Sequence, residues 1–326
     1  MTKDSVALEL YRQGRTNLTT RTIPSITEAF ERFSRVVERD STFALGWSGL
    51  ARAAQLAWLL GAPIPGQPPD SLIAIALAAS QRGVTLDSSA SEVWVVRARV
   101  LEAVEPSSRT SALSDLRRAL AADSLNSDAW FALARMRDEM LDSTGARVAY
   151  DHAVRLAPRN IELLAFFALH YHYANTPRSG MRWADSALAI DPMYQLARSA
   201  AVLLALEARD LRLAEQHLLA LQRVARGRER VLPLTHGARL AALKGDDAGA
   251  RRFAQEAAQL VDSATLTKHE SVFLASAFAA AGDTATAYRW LAAYTPRSDI
   301  HFQLHLKTDW ELAWVRDERY RHLLSR

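Results

Sequence analysis

An all-α stack of about eight helical hairpins is the fold expected of this 326-residue chain. The leading observation is a 34-residue frame over 127–192. Counting Ser127 as position 1 puts Trp130 at 4, Leu133 at 7, Ala134 at 8, Ala146 at 20, Tyr150 at 24, Ala153 at 27 and Pro158 at 32. The next unit begins at Ile161 and repeats the pattern with Ala168, Tyr171, Ala187 and Pro192. Small side chains at 8, 20 and 27 let two antiparallel helices approach closely, and the proline stops the second one. Spacing is the next observation: unit starts at 91, 127, 161, 195, 231 and 268 are 36, 34, 34, 36 and 37 residues apart. Strand signals are weak throughout, with no alternating β-branched runs bounded by hairpin turns.

Carried along the chain, the frame predicts units near 5–41, 44–88, 91–124, 127–160, 161–194, 195–228, 231–264 and 268–299, then a closing helical segment over 300–326. The expected organisation is one continuous solenoid. The first unit pairs a helix over 5–16 with one over 25–39, marked by Ala29 and Phe33. The second places Trp47, Leu50 and Ala51 at positions 4, 7 and 8, and the third places Trp94, Ala98, Ala112, Leu116 and Ala119 in register. Ala214 holds position 20 of the sixth. Gly245-Asp246 and Gly282-Asp283 mark one shared turn in the last two, where Gly ends a helix and Asp caps the next. The tryptophans at position 4 are expected in the core. The second unit is about 13 residues longer than the 34-residue frame. Its excess, Gly61 to Asp70, is expected to be non-helical because Pro stands at 63, 65, 68 and 69. It reads either as a lengthened loop or as a rigid arm near a binding face.

Composition narrows the function classes. Hydrophobic residues make up 49%, enough for a continuous core. The net charge of +4 is small for the length, and acids interleave with bases. Nucleic-acid binders cluster their basic residues on one face, so no nucleic-acid role is expected. Zero Cys excludes disulfides and thiolate zinc sites. No apolar run reaches the ~18–20 residues of a membrane span, so no membrane insertion is expected. Met1–Arg15 lacks the apolar core of a signal peptide. The expected location is cytoplasmic, or extracytoplasmic if the chain follows a membrane helix in a longer protein.

These units resemble the tetratricopeptide repeat family. The resemblance implies a right-handed superhelix in which the first helix of each pair lines a concave groove that binds a protein or peptide. Ala7-Leu-Glu-Leu-Tyr-Arg-Gln-Gly-Arg15 is similar to the opening of repeat regions in bacterial sensor and signalling proteins. There, such repeats accompany a serine/threonine kinase, a cyclase or a DNA-binding regulator. The segment Leu306 to Tyr320, followed by Leu323 and Leu324, resembles the amphipathic closing segment of those arrays. The implied role is a scaffold or sensor module. The alternative is a small-molecule-sensing regulatory domain of a larger kinase or transcription regulator.

In the family, position 9 faces the groove, and here it carries Arg52, Arg99, Arg135 and Arg239. Arginine suits bidentate capture of carboxylates, so the expected partner carries acidic side chains or a C-terminal carboxylate. The competing reading is local pairing, with Glu102 three residues after Arg99, and Asp138 and Glu139 three and four after Arg135. Other groove-facing residues would be Phe131, Leu169, His172, Tyr173 and Leu203, while His170 is expected to pack internally. Family members that clamp chaperone tails use Lys at position 5 with Asn at position 9. This chain has Val95 with Arg99 and Phe131 with Arg135, which argues against that specificity.

Enzyme motifs are missing. There is no phosphate-binding loop, zinc-protease helix or dinucleotide fingerprint. Gly46-Trp-Ser-Gly49 lacks the spacing of a nucleophile elbow. His301 and His305 could share a helix face, but no adjacent Cys or carboxylate was evident to complete a metal site. No catalytic residue, metal or cofactor is therefore expected.

Overall fold

A computed structural model describes residues 2–104, 108–262, 266–294, 305–317 and 323. His301, Tyr320 and Leu324 lie outside the described residues. The described helices follow one another in eight consecutive pairs. They are α1 (Ser5–Thr20) with α2 (Ile23–Arg39), α3 (Ala44–Leu60) with α4 (Pro69–Leu86), α5 (Ser91–Val104) with α6 (Arg109–Ala122), and α7 (Ser127–Glu139) with α8 (Ser143–Leu156). There follow α9 (Ile161–Tyr173) with α10 (Pro177–Ile190), α11 (Gln195–Glu207) with α12 (Leu211–Val224), α13 (Val231–Leu243) with α14 (Asp247–Gln259), and α15 (Lys268–Ala280) with α16 (Thr284–Ala293). A short 3-10 helix, Gly227–Arg230, precedes α13. Among the described residues there is no strand, only an isolated bridge between Ile64 and Gln67.

The chain divides into two compact units: Met1–Met136 with Asp151–Leu156, and Arg137–Tyr150 with Ala157–Arg326. In the first unit, α1 to α4 enclose Phe33, Ile26, Ala51 and Leu56, all buried. Glycines on two helices admit the Phe33 ring. A Cβ at Gly14 would come within 2.8 Å of it and one at Gly49 within 2.2 Å. The Gly46–Gly49 stretch is thus a packing feature. Farther along, Ala98, Ala112 and Ala119 are fully buried with Trp94 and Leu116, as the small-residue positions require.

Position 4 has a second task. The indole N–H groups of Trp47, Trp94 and Trp130 donate to the carbonyls of Ser41, Ser88 and Ser124 at 2.8–2.9 Å. In the same turns Asp40, Asp87 and Asp123 accept from the backbone two residues on. Each tryptophan therefore ties its helix to the turn before it. Trp94 is buried, while Trp47 and Trp130 are half-buried rather than core residues.

Three element boundaries differ from expectation, one being the start of α2 at Ile23 rather than 25. Helix α1 continues to Thr20, beyond the expected end at 16. Pro69 and Asp70 belong to α4, because Pro69 occupies its first turn, where a missing N–H costs nothing. The remaining excess folds back on the first unit. Ala62 and Ile64 are buried, and Thr27 Oγ1 donates to the Pro63 carbonyl at 3.0 Å.

The second unit repeats one turn five times. Leu141, Asn175, Arg209, Gly245 and Gly282 all adopt positive φ, from 54° to 80°. In each case the following residue donates its N–H at 2.9 Å to the carbonyl five residues earlier, closing the helix end. Asp142, Asp210, Asp246 and Asp283 then cap the next helix. Within this unit the first helices α9, α11, α13 and α15 pack successively on one another and form a continuous layer. Tyr150 stacks on Phe167 at 4.7 Å and Phe167 on Trp183 at 4.4 Å.

Among the described residues the closing element is not one continuous helix. Residues 305–308 form a helical turn, Asp309 is extended (φ −68°, ψ 117°), and Trp310–Arg316 is a 3-10 helix. Leu306, Leu312, Val315 and Leu323 are fully buried with Ala238, Val272, Phe278 and Leu291. The segment thus completes the core over α13 and α15.

Two stability outcomes follow from these turns and contacts. Gly49→Ala should cost about 1–3 kcal/mol, because the added methyl overlaps the ring of Phe33. Leu141→Gly should instead stabilise by about 0.5–1 kcal/mol, relieving a left-handed leucine at an exposed site. Urea denaturation of both variants checks the two signs.

Candidate functional site

The strongest concentration of buried polar chemistry lies in the second unit, where the closing segment meets the first-helix layer. Helix geometry at the end of α9 sets it up. His170 and His172 are two residues apart, so their side chains leave the helix on nearly opposite faces. His170 turns inward, its Nδ1 2.6 Å from Asp138 Oδ1, among the rings of Tyr150, Phe167 and Tyr171. His172 turns the other way. Its Nδ1 is 2.5 Å from Glu207 Oε1 at the end of α11. Its Nε2 lies 3.1 Å from Asp309 Oδ1 in the closing segment, yet makes no aligned hydrogen bond. Burial works against a charged ring here, but Glu207 and Asp309 outweigh it and push the His172 pKa up to about 10.

Helix α13 supplies the cation. Arg239 is 5% exposed and grips Glu311 with two guanidinium nitrogens, the Nη2 to Oε2 distance being 2.9 Å. Burial opposes its charge, while Glu311, Asp309 and Glu207 more than restore it. One turn earlier, His236 Nε2 shares a hydrogen bond with the Ser199 hydroxyl at 2.9 Å. Burial, reinforced by Arg239, pushes its pKa down to about 3 and keeps that ring neutral. From α15, Ser276 donates to Asp309 Oδ2 at 3.3 Å. The ring of His305 packs among His172, Tyr173 and Phe273, with centroids 6.0–6.3 Å away. Four helices and the closing segment therefore converge on two acidic side chains, Asp309 and Glu311.

Of the residues singled out from sequence, His172, Tyr173 and Arg239 come together at this place. Leu203 is buried on α11 and Leu169 is half-buried on α9. The others belong to the first unit. There Arg52 Nη1 donates to Gln55 Oε1 at 2.6 Å, and Gln55 Nε2 donates to the Arg99 carbonyl at 2.5 Å. The Arg99 guanidinium sits 5.2 Å over the buried ring of Phe131. Arg99 is 7% exposed, and its Nε and Nη2 have no hydrogen-bond partner, so Glu102 does not fill them. Arg135 is half-buried. The local-pairing reading also meets a competitor at Asp138, whose carboxylate receives His170.

Glu207, Ser276, Asp309 and Glu311 were not foreseen as site residues, and His305 was considered only as a pair with His301 and set aside. One signal was available. His305 and Asp309 are four apart, a spacing that puts an imidazole and a carboxylate on one helical face. Glu311 is 72 residues from Arg239 and carries no local signature.

No family model and no curated protein matches the chain. Solved structures do. The human IFIT1 dimer with m7Gppp-AAAA aligns with a TM-score of 0.63 at 15% identity, over 82% of this chain and 67% of that one. Cut9 in the APC/C hetero-tetramer Cut9–Hcn1 aligns with a TM-score of 0.64 at 10% identity, over 97% and 55%. A tetratricopeptide repeat protein from Parabacteroides merdae aligns with a TM-score of 0.54 at 13% identity, over 78% and 92%. These likenesses show that the chain has the all-α tetratricopeptide repeat fold. No described helix is long and apolar enough to cross a membrane.

Burial separates the energetics of two ion pairs. Glu311→Ala leaves Arg239 buried without its carboxylate and should cost about 3–5 kcal/mol. Glu256→Ala breaks the pair with Arg230, whose side chains are 40% and 45% exposed, and should cost at most about 1 kcal/mol. Thermal or urea unfolding of the two variants measures the difference.

Proposed function

We propose that this chain, with its tetratricopeptide repeat fold, is a protein- or peptide-binding scaffold whose first-helix face takes up acidic side chains or a C-terminal carboxylate. Its setting would be a sensor or scaffold module of bacterial signalling or regulation. The observation that carries this reading is Arg239, which holds a carboxylate with two nitrogens at repeat position 9. Arg99 occupies the same position in the first unit, buried over Phe131, with two guanidinium nitrogens unfilled. A buried guanidinium lacking a carboxylate is a costly arrangement that an acidic ligand would relieve. Arg52 lies beside it through Gln55, while Phe131, expected to face the groove, is instead buried and supports the Arg99 guanidinium from within. The similarity of Ala7–Arg15 to the opening of bacterial signalling repeat regions supports the setting. Cut9, one of the fold's relatives, is seen assembled with another protein, Hcn1.

The test compares the full chain with an Arg52→Ala, Arg99→Ala double variant in affinity capture with mass spectrometry, then measures affinity for each protein retained. The reading expects binding to weaken by at least about 1 kcal/mol, roughly fivefold, in the variant. Capture of the same proteins at unchanged affinity would contradict it.

A further inference from the structure

We propose that His172, His305 and Asp309 form a binding site for one divalent transition-metal ion of the zinc class, which ties the closing segment to α9. One ligand atom from each of these three buried residues lies within 4.8 Å of the other two. Zinc bonds to nitrogen and carboxylate oxygen run ~2.0–2.2 Å, so a tetrahedral site spaces its ligand atoms about 3.3 Å apart. Two contacts are already close to that: His172 Nε2 to Asp309 Oδ1 at 3.1 Å, and Asp309 Oδ1 to His305 Nδ1 at 3.4 Å.

The orientation of His172 is an independent observation. Its side chain is 1% exposed, and its Nε2 points into the cluster with no hydrogen-bond partner. The opposite nitrogen is held by Glu207 at 2.5 Å. Glu207 accepts from Nδ1–H and orients the ring, the usual outer-shell arrangement of metal-binding histidines, and zinc would take Nε2 by displacing the proton that faces Asp309. Asp309 is supported in the same way, because Ser276 holds its other oxygen at 3.3 Å. Zinc would replace the proton on His172 beside the carboxylates of Glu207 and Asp309, with Arg239 already held by Glu311 and His236 neutral beside it. Two imidazoles and one carboxylate suit zinc, nickel or cobalt better than calcium or magnesium, which prefer oxygen ligands. A fourth coordination position would be left for water or a ligand atom.

The site rests on residues of the second unit and is independent of the arginine reading of the first. The experiment is equilibrium dialysis of the chelator-stripped full chain against zinc, with metal analysis, and cobalt as a spectroscopic probe. One zinc per chain is expected, with the visible bands of low-coordinate cobalt and a raised melting temperature in zinc. His172→Ala, His305→Ala and Asp309→Asn should each weaken zinc binding at least tenfold, with helix content retained by circular dichroism. Because His172 is buried, Glu207→Gln provides a second route that preserves shape, and it should weaken zinc binding about 10–100-fold. His217→Ala, on α12, should leave binding unchanged. Failure of the wild-type chain to take up stoichiometric zinc would overturn the proposal. So would zinc affinity unaltered in Glu207→Gln together with either His305→Ala or Asp309→Asn.

Discussion

A guanidinium buried among apolar helices needs a carboxylate, and Arg239 obtains one from a segment 72 residues farther along the chain. That requirement organises the end of the molecule. Seating Glu311 on α13 brings Asp309 between α9 and α15, and Leu312 and Val315 into the apolar core. Hydrophobic burial supplies most of the attraction, as it does for any closing element. It is not directional, however, and would tolerate several placements of an amphipathic segment. The charged contacts set the register, since a shift of one residue would leave a buried guanidinium and a buried histidine unmatched.

The repeat makes one position do different work in different places. Position 9 offers an arginine on the first helix of four hairpins. In the second unit Arg239 is filled from within the chain. In the first unit Arg99 lies over Phe131 and keeps two nitrogens unfilled. The small residues at positions 8, 20 and 27 have only one task, allowing helices to approach, as the fully buried Ala134, Ala146 and Ala153 do. Function in such a fold is therefore written where chemistry departs from the repeat rather than where it conforms.

That division explains what could be read in the sequence. Hairpin count and order were legible because the packing rule is local and periodic, as Ala98, Ala146, Ala153 and Ala187 illustrate. The Gly245 and Gly282 turns were legible because glycine announces a left-handed residue. The same turns at Leu141, Asn175 and Arg209 were not, since there the closing hydrogen bonds and caps impose a conformation that the residue itself disfavours. Pro69 misled because its effect depends on its place in a helix: at the first turn it starts α4 rather than breaking it. The site was legible only on one side. Arg239 and His172 stand in the repeat register, whereas Asp309, Glu311 and His305 stand in a segment without one. Apart from the spacing of four between His305 and Asp309, their contacts join residues far apart in sequence, and no local pattern reports those.

Hydrogen exchange of the full chain, read by mass spectrometry, tests most directly whether the closing segment is seated on the helix layer. The amides of Asp309 and Leu312 donate to the carbonyls of His305 and Asp309 in the docked arrangement. Seating by Arg239, His172 and Ser276 predicts that peptides covering 305–316 exchange as slowly as those of α13, by factors far above an unstructured chain. Exchange of 305–316 at the rate of a free peptide, with α13 still protected, would contradict the account.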